Sequence, residues 1–312
     1  MAHFTQLQLL TELEPVAGKE LDRHLSAAKE WMPHEYVPWT EGSNFDGPLG
    51  GVPWSPEQSK VSTTARTALV VNLLTEDNLP SYHREIYQSF SADGAWGTWV
   101  GRWTAEEGRH ATAIRDYLLT TRAVDPVALE RERMVHMTQG FETSYQPDML
   151  HTVAYVSFQE LATRISHRNT GRYTEDPFCD QLLARIAVDE NLHMVFYRNL
   201  LNAALEIAPD QTVQAIWDVV EGFQMPGSTI EGFTRRSLAI ALAGIYDLRI
   251  HHDEVLSPVL KYWKLFELEG LSAGAEQARL KLAAFMADLD LKATRFEQMR
   301  AAQQARLAER LG

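Results

Sequence analysis

The segments that decide the fold are Glu107-Gly-Arg-His110 and Glu190-Asn-Leu-His193. In an α-helix, a spacing of three places the carboxylate and the imidazole on one face, where they can bind one metal ion together. The pattern alone is weak, because 42 acidic residues and 11 His among 312 residues give about 1.5 acid-x-x-His matches by chance. The chain has a third match, Asp148 with His151.

A lone upstream glutamate distinguishes the first two matches from the third. Glu76 precedes Glu107 by 31 residues, and Glu160 precedes Glu190 by 30. A helix-breaking segment lies at each midpoint, at residues 91–94 and 171–177, so each pair fits a helical hairpin. Two such hairpins predict a four-helix bundle with four glutamates and two histidines at its centre. The third match has no such partner, and we attribute it to chance.

These six side chains are interpreted as ligands for two metal ions. Apolar residues surround them at helical spacing, for example Leu183, Ile186 and Met194, so the carboxylates should be buried. Burying four carboxylates without cations costs several kcal/mol each, whereas two divalent ions neutralise them. Carboxylate-rich sites with one imidazole per metal favour iron or manganese, since structural zinc prefers Cys and His. A solvated helix face would explain any one of these glutamates, but not all six residues in two matched hairpins.

The rest of the chain predicts an all-α fold, because helical periodicity dominates and alternating strand patterns are rare. Ser55-Pro56, Asp125-Pro126 and Asp176-Pro177 pair a capping residue with proline and predict helix starts. The irregular residues 34–56 predict an ordered loop anchored by Trp39, Phe45 and Trp54.

We predict a single domain in three parts. They are an N-terminal helix and wrapping loop (1–56), the metal-binding four-helix core (57–208) and additional C-terminal helices (209–312).

Composition argues against several classes of protein. The formal net charge of -13 disfavours nucleic-acid binding. The single cysteine, Cys179, permits no intrachain disulfide and fits a reducing compartment. The N-terminus has no signal-peptide pattern, and no apolar run is long enough to span a membrane. We therefore expect a cytoplasmic protein without a membrane span or a nucleic-acid partner.

Four segments resemble the metal-bearing helices of soluble acyl-acyl carrier protein desaturases: Leu74-Thr-Glu76-Asp-Asn-Leu-Pro80, Trp103-Thr-Ala-Glu-Glu107-Gly-Arg-His110, Ser157-Phe-Gln-Glu160-Leu-Ala-Thr163 and Asp189-Glu190-Asn-Leu-His193. The resemblance extends from His24-Leu25 through Gly270-Leu-Ser272. It implies a ferritin-like bundle and a homodimer with two iron ions per chain. It also implies use of O₂ and of electrons from a ferredoxin-type donor to introduce a cis double bond into a saturated fatty acyl chain on acyl carrier protein.

The resemblance also divides the six ligand candidates between the two irons. One iron would be held by Glu76, Glu107 and His110, and the other by Glu160, Glu190 and His193. A lone helical glutamate and a partner carboxylate are expected to bridge the two irons, and which ones bridge stays open.

Four further residues gain candidate roles from the same resemblance. Asp189 and Glu106 would orient the ligand imidazoles, as metal-bound histidines generally require. Thr163 resembles the hydroxyl that the family carries near its oxygen site, with packing between helices as the alternative. Trp103 is a candidate for an electron route or an ordinary core residue.

Two features depart from the family pattern. Gly108 interrupts the first Glu-x-x-His helix, which costs about 0.5–1 kcal/mol relative to Ala. The stretch 82–90 is more polar than a tunnel for a fatty chain requires, so Glu85, Gln88 and Ser89 could line a substrate pocket or face solvent. Chain length and double-bond position therefore stay open.

Pro80 predicts a local kink at a ligand. It lacks the N–H that would bond the carbonyl of Glu76, and its ring clashes with that carbonyl. A π-bulge is one way for the helix to deform there.

Three other functions share these ligands or this fold. A di-iron oxygenase or hydroxylase would differ in substrate pocket and partner. A non-catalytic relative that binds acyl carrier protein would fold but bind no iron. Metal storage is disfavoured, because a bare bundle needs about half this length.

Overall fold

The protein is built from helices joined by turns and loops. The computed structural model describes residues 3–141 and 148–311, and within those ranges the only extended pairing is one bridge between Phe45 and Val52. The predicted all-α class is confirmed. In chain order the helices are α1 (Gln6–Ala27), α2 (Thr63–Asp77), α3 (Leu79–Ser89), α4 (Gly94–Thr120), α5 (Pro126–Gln139), α6 (Met149–Thr174), α7 (Pro177–Ile207), α8 (Pro209–Glu221), α9 (Phe233–Leu242), α10 (Leu248–Ile250), α11 (Ser257–Tyr262) and α12 (Ala273–Leu311).

Both predicted hairpins are present, with their turns at the predicted breakers. The first hairpin consists of α2 and α3 followed by α4, and its turn lies between Ser89 and Gly94. The second consists of α6 and α7, and its turn lies between Thr174 and Pro177. Each lone glutamate therefore lies on the first arm of its hairpin, and its Glu-x-x-His partner lies on the second arm.

Local chemistry fixes the start of α7 and its approach to α6. The Asp176 side chain accepts hydrogen bonds from the amides of Phe178 and Cys179, which caps the helix. A Cβ at Gly171 would lie 3.2 Å from Cα of Asp180, so glycine allows α6 and α7 to pack closely.

The ligand candidates lie between two buried apolar clusters. On α4, Trp96, Trp99 and Trp103 belong to the larger cluster, while Ile114 and Leu118 belong to the smaller one. Residues 107–110 lie between these two groups on the same helix. Each fully buried large apolar side chain contributes about 1.5–3 kcal/mol, so the two clusters hold the polar layer in place from both sides.

The predicted kink at Pro80 is confirmed. Helix α2 ends at Asp77 and α3 begins at Leu79, with Asn78 between them at φ -80° and ψ 13°. The deformation is a turn at Asn78, not a π-bulge. A π-helical turn occurs elsewhere, over His251–Leu256.

One predicted helix start is wrong. Ser55-Pro56 opens only a 3₁₀ turn, Pro56–Gln58. Helix α2 begins later, because the hydroxyl of Ser62 accepts the amide of Ala65 and supplies the cap.

The loop before α2 is anchored by two of its three predicted aromatic residues. The indole of Trp54 donates to the carbonyl of Arg122 (2.9 Å), and the guanidinium of Arg122 lies 4.1 Å from the ring centre of Phe45. Trp39 is 50% exposed and does not anchor the loop in the core.

Candidate metal centre

The six predicted ligand residues meet at the centre of the bundle. All are buried, with side chains from α2, α4, α6 and α7. They form two overlapping groups, and within each group one possible ligand atom from every residue lies within 4.8 Å of the others. The first group is Glu76, Glu107, His110 and Glu190. The second group is Glu107, Glu160, Glu190 and His193. Glu107 and Glu190 belong to both groups, so these two carboxylates, and not the lone Glu76 or Glu160 as expected, are the candidates to be shared by two ions.

Glu107 lies between the two candidate imidazoles. Its Oε2 lies 3.5 Å from Nδ1 of His110, and its Oε1 lies 2.8 Å from Nδ1 of His193. One carboxylate therefore presents one oxygen beside each imidazole.

The centre fits a pair of cations because several of its electron-donor atoms lack a well-formed hydrogen bond. Five buried atoms make no hydrogen bond of good geometry in the described structure, although the first and last of them lie 2.8 Å apart: Oε1 of Glu107, Oε2 of Glu160, Oε1 of Glu190, and Nδ1 of His110 and His193. Buried polar atoms are nearly always satisfied, and an unpaired buried carboxylate is costly. A metal ion is the partner that several such lone pairs can share.

Crowding of negative charge is visible in the carboxylates. Burial raises the pKa of Glu160 well above its ordinary value, and the charges of Glu107 and Glu190 add to the effect. Burial and the charge of Glu190 likewise raise the pKa of Glu107. For Glu76, burial opposes ionisation, but the neighbouring imidazoles of His110 and His167 outweigh it and lower the pKa.

The same crowding of negative charge stabilises the protonated form of the two candidate imidazoles. Burial favours the neutral form of His110 and His193, but the surrounding carboxylates outweigh it and hold both pKa values well above the ordinary value. Because a metal binds the deprotonated imidazole, cation binding would release these protons.

Asp189 and Glu106 lie beside the far nitrogens of these imidazoles. Nε2 of His110 is 3.4 Å from Oδ2 of Asp189, and Nε2 of His193 is 2.9 Å from Oε2 of Glu106. Each histidine can therefore donate from Nε2 while Nδ1 faces the ligand carboxylates. Glu106 also accepts from Nε2 of His24 at 2.9 Å, a buried contact from α1 that sequence reasoning did not identify.

The two lone glutamates are each held by a ring N–H. Trp103 donates from Nε1 to Oε1 of Glu160 at 2.9 Å, so this predicted residue contacts a ligand candidate directly. His167 lies with Nε2 2.8 Å from Oε1 of Glu76. His167 was missed, although it follows Glu160 by two helical turns on the same helix, a spacing that places both on similar sides.

Thr163 lies at the centre, as expected for a residue one turn after Glu160. Its Oγ1 is 3.1 Å from Oε2 of Glu190 and 3.0 Å from the carbonyl of Glu160. A hydroxyl has one hydrogen, so it can donate to only one of these acceptors at a time.

Trp31, also missed by sequence reasoning, lies on the outer side of Asp189. Its Nε1 donates to Oδ2 of Asp189 at 2.8 Å, the oxygen that faces His110. Arg109 and Arg185 lie 5.1 and 5.7 Å from the Trp31 ring and both form ion pairs with Asp189. Nothing near Trp31 in sequence pointed to this contact, because Asp189 is 158 residues away.

A mainly apolar cavity of about 540 Å³ reaches the centre. Glu76, Thr163 and His167 line its inner end, and the half-exposed Leu238 lies on its wall. Most of the other lining side chains are apolar, among them Val71, Phe223, Met225, Phe233, Ile240 and Phe296.

A smaller cavity of about 40 Å³ lies beside Trp103 and includes Glu85. The other two predicted pocket residues lie elsewhere. Gln88 is exposed on α3, and Ser89 is buried, with its hydroxyl accepting from Oγ1 of Thr152 at 2.8 Å.

The third acid-x-x-His match has a structural use. Asp148 caps α6 by accepting the amide of His151 at 2.9 Å, and its Oδ1 lies 2.8 Å from Nδ1 of His151. Neither residue belongs to a described metal-type group.

The fold and the centre define a helical-bundle protein with buried carboxylate and imidazole groups beside an apolar cavity. The model of the fatty acid desaturase family matches residues 5–310. The chain belongs to this family of enzymes, as the resemblance predicted.

Named relatives agree. The chain is 51% identical over 303 residues to a Mycobacterium tuberculosis protein named as an acyl-[acyl-carrier-protein] desaturase, DesA1, covering 95% of this chain and 89% of DesA1. It is 28% identical over 310 residues to a rice stearoyl-[acyl-carrier-protein] 9-desaturase, covering 92% of this chain and 77% of the rice protein. An X-ray structure of M. tuberculosis DesA2 matches with a TM-score of 0.71 and 32% identity, over 86% of this chain and 98% of that one. The expected ferritin-like fold is thus confirmed.

Among the described helices, none combines the length and the apolar character needed to cross a membrane.

Proposed function

We propose that the protein is a di-iron, O₂-dependent desaturase that introduces a cis double bond into a saturated fatty acyl chain carried on acyl carrier protein. The observation that carries the proposal is the pair of overlapping candidate ligand groups, with five buried donor atoms that lack a well-formed hydrogen bond, at the inner end of an apolar cavity. The names of the relatives supply the substrate class.

Six residues would hold the two iron ions. Glu107 and Glu190 would bridge, Glu76 and His110 would complete one site, and Glu160 and His193 would complete the other. When bound, the iron would supply the redox chemistry: a –CH₂–CH₂– unit loses two hydrogens, and O₂ takes up these with two electrons and two protons to give two waters.

The protein's own residues would position the chain and exclude water. The cavity walls bind methylene groups through the hydrophobic effect, and the inner end exposes Thr163 beside Glu190. A chain threaded to this point lies next to the ligand layer, while the apolar walls keep bulk water away from it.

Electrons would enter on the opposite side, from a ferredoxin-type donor. Trp31, Asp189 on α7 and His110 on α4 form a short series of contacts that leads away from the ligand candidates. Arg109 and Arg185 both pair with Asp189, so these three charged side chains together carry one positive charge, which would suit an acidic donor.

Two broader parts of the proposal concern assembly and location. We propose a homodimer, which the family resemblance implies, and a cytoplasmic location. The single cysteine, Cys179, is buried and free, which is compatible with a reducing compartment.

Iron loading tests the proposal first. Purified protein is loaded anaerobically with Fe(II), and we expect two irons per chain, falling sharply in Glu107→Ala. The loaded protein is then mixed with a series of saturated acyl-acyl carrier proteins, a reduced ferredoxin and O₂, and the acyl products are identified by mass spectrometry.

Each result has a distinct meaning. An unsaturated product that requires iron and reduced ferredoxin supports the proposal. A hydroxylated product would identify an oxygenase instead. A folded protein that binds no iron would refute the di-iron proposal and favour a non-catalytic role in binding acyl carrier protein.

A further inference from the structure

His167 gives the Glu76 side of the centre a different support from the Glu160 side. Both lone glutamates use Oε1 to accept a hydrogen bond, from His167 in one case and from Trp103 in the other. Both turn Oε2 toward a ligand imidazole, 3.7 Å from Nδ1 of His110 for Glu76 and 3.5 Å from Nδ1 of His193 for Glu160. The carboxylate oxygens are therefore arranged alike on the two sides, but the donor is an imidazole on the Glu76 side and an indole on the Glu160 side.

The proton on His167 is assigned by its neighbours. An ionised carboxylate only accepts hydrogen bonds, so the 2.8 Å contact with Glu76 requires the proton on Nε2. On the other side of the ring, Nδ2 of Asn72 lies 3.4 Å from Nδ1 of His167. An amide N–H at that position needs Nδ1 as an acceptor, which is the same tautomer.

Asn72 is itself held in the orientation that this tautomer needs. The hydroxyl of Ser166 donates to Oδ1 of Asn72 at 3.0 Å, and Nδ2 also donates to Oγ1 of Thr170 at 3.3 Å. Both sides of the amide are thus engaged, with its nitrogen toward His167. Asn72 and His167 are both buried, with 7% and 1% of their surface exposed, so water does not compete freely for these contacts.

We propose that His167 is a positioning residue that restricts Glu76 to one metal-binding oxygen, and that Asn72 acts through His167 by fixing its tautomer. The hydrogen bond occupies Oε1 and leaves Oε2 toward the His110 side. This inference rests on the proposed di-iron function. It adds that the two irons have inequivalent surroundings, one supported through an imidazole and the other through an indole.

Iron affinity and the Mössbauer spectrum of the anaerobic Fe(II) protein test this role. His167→Phe keeps a planar ring but removes the N–H donor. This variant should bind one of the two iron ions about 10–100-fold more weakly than wild type. It should also change the quadrupole splitting of one of the two iron signals. His167→Gln, which retains an N–H donor, should restore much of both properties, and Asn72→Ala should fall between wild type and His167→Phe.

Trp103→Phe is the matched control on the other side, since it removes the donor to Glu160. It should change the iron signal that His167→Phe leaves alone. The inference is overturned if His167→Phe binds both ions with wild-type affinity and spectrum, or if both variants change the same signal. If His167→Phe does not fold, His167→Gln and Asn72→Ala provide the test. Wild-type iron affinity and spectrum in both of these variants would overturn the inference.

Failure of the proposed function would look different. Wild-type protein that binds two inequivalent irons, shows the His167 effect and converts no acyl chain would refute desaturation and leave this inference intact. Wild-type protein that binds no iron would refute both the proposed function and this inference.

Discussion

The two helical hairpins supply the same set of candidate ligands but are built differently. The first helix of the first hairpin is broken at Asn78, two residues after Glu76. In the second hairpin, α6 runs unbroken for all of its 26 residues and passes straight through Glu160. A proline four residues after the ligand explains the difference, because α6 has Arg164 at the corresponding position.

The hairpins also support each other's ligands. His110 of the first hairpin meets Asp189 of the second, and His193 of the second meets Glu106 of the first. The lone glutamates follow the same rule: Glu76 is held from α6, and Glu160 from α4. The ligands are local to each hairpin, but their orientation is supplied across the interface, so the centre is complete only when the hairpins pack together.

Loss of a shared carboxylate should have the largest effect. Glu107→Ala and Glu190→Ala each remove a residue common to both ligand groups, so we expect iron to fall from two per chain toward zero. Glu76→Ala and Glu160→Ala affect one group each and should retain about one tightly bound ion. Iron per chain after anaerobic loading measures this. Glu85→Ala, which lies outside both groups, should keep two, and a Glu107→Ala protein that also kept two would contradict the bridge.

Breaking the crossed contacts should have the next largest effect. Asp189→Asn and Glu106→Gln each leave a ligand imidazole without its charged acceptor, and about a 10–100-fold loss of iron affinity is typical for such partners. If the support crosses between hairpins, Asp189→Asn should be non-additive with His110→Ala and additive with His193→Ala. Competition with a ferrous chelator measures the affinities. The reverse pattern of additivity would show that each carboxylate supports the histidine of its own hairpin.

Most of this arrangement was predictable where the cause is local in sequence. A spacing of three within one helix, a breaker midway between two ligands, and proline four residues after Glu76 each act over a few turns of chain. These local signals were sufficient to predict both hairpins, the six residues at the centre and the kink at Pro80. The incorrect helix start at Ser55 is also local: two serines precede possible starts, and the cap forms at Ser62.

The rest depended on packing between distant segments. Trp31 lies 158 residues from the aspartate it contacts, and His24 lies 82 residues from Glu106. No spacing rule connects such pairs, since their distance is set by how α1 and the following loop pack on α4 and α7. His167 is intermediate: its position on α6 placed it on the correct side, but only the packing of α2 brought Glu76 to it.

Restoring a continuous helix in the first hairpin should have a moderate effect. Pro80→Ala supplies an N–H that can bond the carbonyl of Glu76, so α2 and α3 should join and shift Glu76. We expect iron affinity at one site to fall several-fold. Stability should change by less than about 1 kcal/mol, because the new hydrogen bond offsets the greater flexibility of the unfolded chain.

Iron titration and thermal unfolding together measure these two effects. Pro126→Ala, at the start of α5, is the control for removing a proline away from the centre. Unchanged iron affinity in Pro80→Ala would mean that the break at Asn78 does not position Glu76.

The smallest effect concerns Asp148 and His151, which have the ligand spacing without the hairpin partner. Asp148→Ala removes the cap of α6 and should cost about 1 kcal/mol of unfolding free energy, while iron binding stays at two per chain. Urea unfolding and iron analysis test both parts. Loss of iron in this variant would mean that the spacing alone, without an upstream glutamate, marks a ligand.

The pH dependence of the same variant separates the cap from the ion pair. Burial lowers the pKa of His151, but the hydrogen bonds and charges of Asp148 and Asp218 outweigh it and raise the pKa overall. A raised folded-state pKa stabilises the protein below the ordinary histidine value, and this contribution is lost as pH rises through the folded-state value. The stability difference between wild type and Asp148→Ala should therefore be larger at pH 6 than at pH 9, with the cap contribution remaining at pH 9. A difference independent of pH would assign the whole effect to the cap.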